Sequence, residues 1–432
     1  MPGKLRNRHA LTRYPQPLGQ AELPESWLIF DGGGPWFAVP IHDGGKNVKQ
    51  QTRLLALLAA VMLVLAACGG SANDTTTTTE AGATTTTEAE TTTTEAEETT
   101  TTAATAEPVT VGLIFDIGGR GDQSFNDSAA AGIERAADEL GITFTEASPN
   151  DDGSNRAELL QLAADSNAMV IAVGFLFEGD AAAVGGENPD TNFAVIDSSM
   201  LDFSQDPPVP YGDNIAGLVF SEEQGSFLVG AAAALKSTTG TIGFIGGVSG
   251  VGGLIEKFEA GYMAGARAVN PDIEIISEYI TAAPDFDGFN APDRARDIAL
   301  AMYDGGADIV YHAAGGSGAG LFEAASVQSD TTGSKVWAIG VDSDQYNTSD
   351  EAVREFILTS MLKRVDVAVF EAIKSQVDGT FTAGETRYDL SVDGVGYSTS
   401  GGFLDDIVDQ LEDFKAQIIA GDIVVPTDPA EA

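Results

Sequence analysis

Three aspartates each end an apolar run: Leu113-Ile114-Phe115-Asp116, Ala194-Val195-Ile196-Asp197 and Ile339-Gly340-Val341-Asp342. An ionised carboxylate only accepts hydrogen bonds, so the set suits hydroxyls or amines and disfavours anions. Each charged hydrogen bond can contribute roughly 1.5–3 kcal/mol. One such aspartate can equally be a helix or turn cap; three at strand ends favour a shared ligand edge. The first runs into Gly118-Gly119-Arg120-Gly121-Asp122 and then Gln123-Ser124-Phe125-Asn126. That strand–loop–helix junction places a carboxylate, bare amides, a ring and a carboxamide at the carboxyl edge of a sheet, where open α/β sheets bind ligands. Phe125, and Phe289 within Asp285-Phe286-Asp287-Gly288-Phe289-Asn290, sit in polar loops rather than at apolar periodic positions. Each ring either covers its loop or offers a face to a planar ligand, with stacking worth roughly 1–3 kcal/mol.

Reactive chemistries find little support. Beyond Cys68 there is a single histidine, His312, and a zinc site needs several His or Cys ligands. Asn150-Asp151-Asp152-Gly153 is oxygen-rich but lacks the spacing and closing glutamate of a calcium loop. Gly315-Gly316-Ser317-Gly318-Ala319-Gly320 resembles a dinucleotide loop, but the third glycine of that pattern would fall on Leu321. No glycine loop ends in Gly-Lys-Ser or Gly-Lys-Thr. Neither Ser249 nor Ser317 has the flanking glycine of a nucleophile elbow. His312 could act as a base; the expectation is nevertheless a binding protein with no catalytic residue, metal or cofactor.

These residues must be positioned by alternating elements. Strands are expected at Val109–Phe115, Ile142–Glu146, Met169–Val173, Phe193–Asp197, Asn214–Val219, Thr241–Gly246, Glu274–Tyr279, Ile309–Ala313 and Val336–Val341. Helical patterns lie between them, among them Asn126–Leu140, Arg156–Ser166, Glu222–Leu235, Leu254–Val269 and Pro292–Asp304. This is an α/β protein with parallel strands and right-handed crossovers. The strands outnumber those of one compact sheet, and Thr241–Gly247 repeats the strand-then-glycine design of the opening. Two similar lobes with a cleft between them are expected; a single doubly wound sheet is the alternative.

The chain has 432 residues, 65 acidic against 22 basic, and a net charge of −43. That balance repels phosphate backbones, so nucleic acid is not an expected partner. Lys49 and Arg53 precede an apolar run from Leu54 to Ala67 that is too short to span a bilayer comfortably and has the layout of a signal peptide. Leu65-Ala66-Ala67-Cys68-Gly69-Gly70 resembles a bacterial lipobox, with Cys68 as the lipid-modified amino terminus. A signal should begin with its basic segment, so translation is expected to start at Val48, leaving residues 1–47 outside the mature protein. From 48 to 67 lies the signal. From 68 to 107 lies a lipidated tether of Thr, Glu and Ala, too polar to fold. Being charged, it is extended.

One ordered set of motifs resembles the basic membrane protein family, the lipid-anchored substrate-binding proteins of ABC transporters. It comprises Asp116-x-Gly-Gly-x-x-Asp-x-Ser-Phe-Asn126, the stretch from Asn214 to Gly230, Gly243-Phe-Ile-Gly-Gly247, Gly261-Tyr-x-Ala-Gly265, His312-x-Ala-Gly-Gly-x-Gly318 and Gly340-Val-Asp-Ser-Asp-Gln345. The resemblance spans roughly 109–393. It implies a type I periplasmic-binding-protein fold: 109–219 with about 345–380 in lobe 1, and 220–344 with about 381–425 in lobe 2. It implies a nucleoside ligand, purine favoured, stacked by Phe125 and Phe289. Asp116 and Asn126 would contact the base edge with Asp197 near, Asp342 and Lys363 would meet the ribose, and Gly316 would allow close backbone approach. Asp180 would be a secondary contact. The implied partners are ABC permease and ATPase subunits and, through Cys68, the outer face of the cell membrane; the implied state is a monomer. A sugar-binding protein of the same fold, and a surface receptor or adhesion lipoprotein, are the alternatives.

Overall fold

The computed structural model describes residues 107–150 and 152–432. The expected start, signal, lipidation at Cys68 and tether lie outside the described residues. In chain order the elements are β1 (Thr110–Ile114), α1 (Phe125–Leu140), β2 (Thr143–Ala147), α2 (Arg156–Ala164), β3 (Met169–Ala172), α3 (Glu178–Glu187), β4 (Asn192–Ile196), β5 (Leu201–Asp202), β6 (Val209–Pro210) and β7 (Ile215–Phe220). There follow α4 (Glu222–Lys236), β8 (Thr241–Ser249), α5 (Leu254–Val269), β9 (Glu274–Ala282), α6 (Pro292–Asp304), β10 (Ile309–Ala313), α7 (Gly318–Thr332), β11 (Trp337–Asp342), α8 (Gln345–Thr348), α9 (Glu351–Arg354) and β12 (Ile357–Lys363). Last come α10 (Val365–Val377), β13 (Gly384–Tyr388), β14 (Val395–Tyr397) and α11 (Val408–Ala420).

The strands form two six-stranded sheets, ordered β2-β1-β3-β4-β7-β13 and β9-β8-β10-β11-β12-β14. The two orders correspond strand for strand, so the repeated strand-then-glycine design reflects two lobes of one topology, and the single-sheet alternative is set aside. All pairings within these sheets are parallel except β12 with β14. Interior strands are apolar on both faces because helices cover both: β7 and β10 are buried at every position. The outer strands β2 and β9 have no fully buried position and carry Thr, Glu and Ser.

The carboxyl-terminal lobe boundaries differ from the expected ones. Ile357–Lys363, expected in lobe 1, adds to the second sheet beside β11, whereas Gly384–Tyr388, expected in lobe 2, adds to the first beside β7. The chain therefore crosses between lobes at 220–222, at 363–365 and at 389–394. Strand membership is decided by partners far away in sequence, which no local pattern reveals.

Helix pairs meet through glycines. A Cβ on Gly230 of α4 would lie 2.1 Å from the Tyr262 carbonyl oxygen, and one on Gly265 of α5 would lie 1.9 Å from that of Phe227. Backbones this close admit no side chain, so α4 and α5 lock together beneath the first crossing.

Candidate functional site

In an open parallel sheet the crevice lies outside the carboxyl ends of the strands where their order reverses. Here that point falls between β1 and β3 in lobe 1 and between β8 and β10 in lobe 2. The residues that leave those strands line one cleft of about 600 Å3, its mouth included. Asp116, Phe125, Asn126 and Asp197 come from lobe 1, and Phe289, Asp342 and Lys363 from lobe 2. Hydrogen bonds from lobe 2 to the Gln123 and Ser124 carbonyls, donated by Gln345 Nε2 (3.1 Å), Thr348 Oγ1 (3.2 Å) and Ser343 Oγ (3.0 Å), draw the lobes together on one side.

Asp197 and Asp342 stand at the carboxyl end of the same strand of the two lobes, β4 and β11, and share a left-handed backbone, with φ of 64° and 63°. Such a conformation is uncommon outside glycine, and aspartate is among the residues that tolerate it. It turns each carboxylate off its strand into the cleft. Ser124 Oγ donates to Asp342 Oδ2 at 2.5 Å. Burial pushes Asp342 up to about 7; Lys363 and Ser124 restrain the rise, and Asp122 and Asp197 add to it. Burial likewise raises Asp197 against the pull of Lys363.

Lys363 is 2% exposed, not a surface lysine. Its Nζ lies 2.7 Å from both oxygens of Asp197, with hydrogen-bond geometry only to Oδ2, and 3.3 Å from Glu222 Oε1. Phe125, Phe220 and Phe258 rings stand 5.0–5.5 Å from the ammonium. Burial opposes its charge, but Asp197, Glu222 and Asp342 outweigh it, so the group titrates well above the ordinary lysine range.

Asp116 is held differently. Arg156 donates to its Oδ1 from 3.3 Å, and both side chains are largely buried. Burial raises Asp116 to about 6, against the Ile117 amide and Arg156. Asn126 is 1% exposed, and its carboxamide is engaged by the protein. Oδ1 accepts from the Asp116 amide, and Nδ2 donates to the Ile117 carbonyl and to Asp122. It shapes the loop at the edge of the cleft that it also lines. Asp122 also accepts from the amides of Ser124, Asn126 and Asp127.

Two other expectations shift. Gly316 does not line the cleft; Gly315 does, with φ of 54°. A Cβ on Gly316 would meet its nearest protein neighbours at 3.5 Å, an ordinary contact. Asp180 lies on α3, away from the cleft lining. His312 is fully buried on β10 beside Phe322, and its Nε2 stands 3.0 Å from Gln345 Oε1. That oxygen also accepts from the Val341 amide, so Nε2 carries the proton. Burial holds the imidazole down at about 4, which makes it a neutral core residue.

Sequence reasoning left Asp122, Gly174, Phe175, Leu254, Ile255 and Phe258 out of the site, and all line the cleft. Gly174-Phe175 directly after an apolar strand was a usable signal. Arg156 and Glu222 gave none, because each acts on a residue distant in the chain.

The arrangement is a wall of carboxylates and rings whose one ammonium among the lining residues is already paired. It can hold a neutral molecule with hydrogen-bond donors and a flat face. Among the described residues no group of three or more His, Cys, Asp or Glu could hold a metal ion, and no helix is long and apolar enough to cross a membrane.

Known proteins resemble this chain in sequence and in fold. A family model described as ABC transporter substrate-binding protein PnrA-like matches residues 109–429. The CD4+ T-cell-stimulating antigen of Listeria monocytogenes is 31% identical over 346 residues, covering 75% of this chain and 90% of that protein. The ABC transporter nucleoside-binding protein BmpA of Lactococcus lactis is 30% identical over 327 residues, covering 73% and 88%. Among solved structures, an ABC transporter solute-binding protein from Aeropyrum pernix K1 aligns with a TM-score of 0.62 at 28% identity, covering 74% of this chain and 94% of that one. One from Conexibacter woesei aligns at 0.56 and 19% identity, covering 74% and 99%, a likeness of fold. The two lobes are those of the type I periplasmic-binding fold.

Proposed function

This chain belongs to the Bmp family, the PnrA-like substrate-binding proteins of ABC transporters, and on that premise we propose that it captures a nucleoside, a purine in preference, and delivers it to permease and ATPase subunits. The observation that carries this reading is the pairing of rings and carboxylates across one cleft. Phe125 from lobe 1 and Phe289 from lobe 2 line it with Asp116, Asp197 and Asp342. Two faces for a flat base, and acceptors for ribose hydroxyls, match a nucleoside better than an anion. The relative from Lactococcus lactis, described as nucleoside-binding, supports the same ligand class.

Stacking and charged hydrogen bonds together outweigh the ordering of a small ligand, so affinity is micromolar or tighter, about −8 kcal/mol or better. Calorimetry on protein stripped of ligand, against a panel of purine and pyrimidine nucleosides, tests it. No heat with any of them rejects the ligand class. The cleft returns its ligand unchanged, and chromatography after incubation should find no free base.

The protein works on the outer face of the membrane, held by lipid on Cys68 with the Thr- and Glu-rich segment as its tether. The small residues around Cys68 and the apolar run before it support this. Mass spectrometry of the mature amino terminus should find a lipid-modified Cys68. An unmodified terminus upstream of it would exclude the anchor.

A further inference from the structure

Ser317, which lacks the setting of a nucleophile, is fully buried in the turn after β10, and its hydroxyl is spent on one loop of lobe 2. It accepts from the Ala291 amide at 2.7 Å and donates to the Gly288 carbonyl at 2.8 Å. Those two groups bracket Phe289 and Asn290. The same loop is fastened at its start. The Asp285 carboxylate accepts from the Asp287 amide at 3.1 Å, and Thr281 Oγ1 donates to the Asp285 carbonyl at 2.5 Å. A Cβ on Gly288 would stand 2.1 Å from the Gly247 carbonyl oxygen, so backbone rests directly on backbone. The loop therefore moves with lobe 2.

At its outer end the loop presents a ring to the opposite lobe. Phe286 meets Phe175, which leaves β3 through Gly174, edge to face, with ring centroids 6.3 Å apart and planes at 63°. That is a favourable aromatic geometry. Phe175 lines the cleft and Phe286 does not, so the pair stands at the rim. Neither ring belongs to a hydrophobic core cluster, so core packing does not account for their meeting. Phe175 is fixed to lobe 1: the Phe177 amide donates to the Gly174 carbonyl at 3.2 Å, and a Cβ on Gly174 would lie 2.2 Å from Asp116 Oδ2. Asn290 reaches toward the same lobe, its side chain the nearest to a Cβ on Gly118, at 3.8 Å. Each ring is held by its own lobe, so the two touch only while the lobes are closed.

We propose that Phe286, aimed by Ser317, closes the cleft against Phe175 and sets how long a bound ligand is retained. A contact made only between closed lobes is absent when the ligand arrives and must be broken before it leaves. It therefore acts on the release rate rather than on capture. The polar bonds from lobe 2 to the Gln123 and Ser124 carbonyls exchange for bonds to water when the lobes part, whereas separated rings gain only exposed apolar surface. Ser317 is outside the cleft lining. It is thus a positioning residue acting through the loop.

This rests on the nucleoside reading above, and rate measurements separate the two. Ligand-stripped protein is loaded with radiolabelled adenosine, guanosine, inosine or uridine, and release is followed into excess unlabelled nucleoside. Phe286→Ala should speed release about two- to tenfold, the weight of one aromatic pair, and leave the association rate nearly unchanged. Phe286→Tyr, which keeps the ring, should restore the native rate. Phe175→Ala should speed release as well, and adding Phe286→Ala to it should change little more, because the partner ring is already gone. Ser317→Ala, which frees the loop, should act in the same direction. A native release rate in Phe286→Ala overturns the proposal while leaving the nucleoside reading intact, and it decides the matter if Ser317→Ala does not fold. Fully additive effects of the two ring truncations overturn it too. Absence of binding by all four nucleosides overturns both.

Discussion

The Lys363 ammonium lies 2.7 Å from both carboxylate oxygens of Asp197, joining the end of β12 in one lobe to the end of β4 in the other. Glu222, 1% exposed at the first crossing, takes a third side of the same ammonium. Three charges from three segments meet where the chain passes between lobes. Removing the cation leaves two buried carboxylates without it, a change that costs about 3–5 kcal/mol. Lys363→Met should therefore lower the Tm by roughly 5 °C or more. Adding Asp197→Asn should recover part of the loss. A single variant that melts with the native protein would mean the triad is not buried in solution.

Asp342 is the acceptor best suited to a diol. Its Oδ2 is engaged by Ser124, and the residue lines the cleft. Asp342→Ala should weaken nucleoside binding at least about tenfold, the value of one charged hydrogen bond. Unchanged affinity in calorimetry would remove Asp342 from the site.

Phe125 and Phe289 supply the flat surfaces. Truncating either to alanine should cost roughly 1–3 kcal/mol of nucleoside binding, one face each. Free ribose has no base to stack. If ribose binds measurably, its affinity should respond far less to Phe289→Ala than that of a nucleoside. Equal losses for the two would favour a sugar as the true ligand.

The buried carboxylates also set a pH dependence. Burial raises Asp116 to about 6 and Asp342 to about 7, and raises Glu223, near the first crossing, to about 7. Each binds its proton more tightly folded than unfolded. The stability this provides is complete below the unfolded carboxylate range and is lost as pH rises through 6–7. His312, held down at about 4, works the other way between there and its ordinary 6.5, so the clean window opens above pH 6.5. Ligand-free protein should melt at a lower temperature at pH 8 than at pH 6.5, and Asp342→Asn should shrink the difference. A Tm that rises across this interval would contradict the burial of these groups.

Much of the architecture was legible because the interior strands are short apolar runs punctuated by glycine, and Ile309–Ala313, Leu254–Val269 and Pro292–Asp304 stand where the sequence places them. Gly384–Tyr388 was not, since Gly-Glu-Thr-Arg-Tyr at a sheet edge carries no apolar signature. Seven of the eight ligand candidates line the cleft. Five are polar residues at strand ends or a helix start, whose type conflicts with a core role, and two are rings set in polar sequence. Arg156 and Glu222 stayed hidden for the opposite reason: an arginine opening a helix and a glutamate opening a helix look like surface residues until Asp116 and Lys363 are folded against them. The bonds of Asn126 to Asp116, Ile117 and Asp122 were equally hidden, because residue type alone does not reveal them.

Glycine packing yields the sharpest test of the framework around the first crossing. Gly265 of α5 faces the Phe227 carbonyl of α4, where a Cβ would stand 1.9 Å from oxygen. Neither atom belongs to a flexible side chain, so alanine there must push the two helices apart. Overpacking of this kind costs about 1–3 kcal/mol or more. Because α4 begins at Glu222, which holds Lys363, the displacement should reach the cleft, and Gly265→Ala should both lower the Tm and weaken nucleoside binding. Gly186→Ala is the control: that position is helical and exposed on α3, with nothing within 4 Å of a new Cβ. There alanine restricts the unfolded chain without a clash and should raise stability by about 0.4–1 kcal/mol. If the two variants melted alike, the close approach of α4 and α5 would not exist in solution.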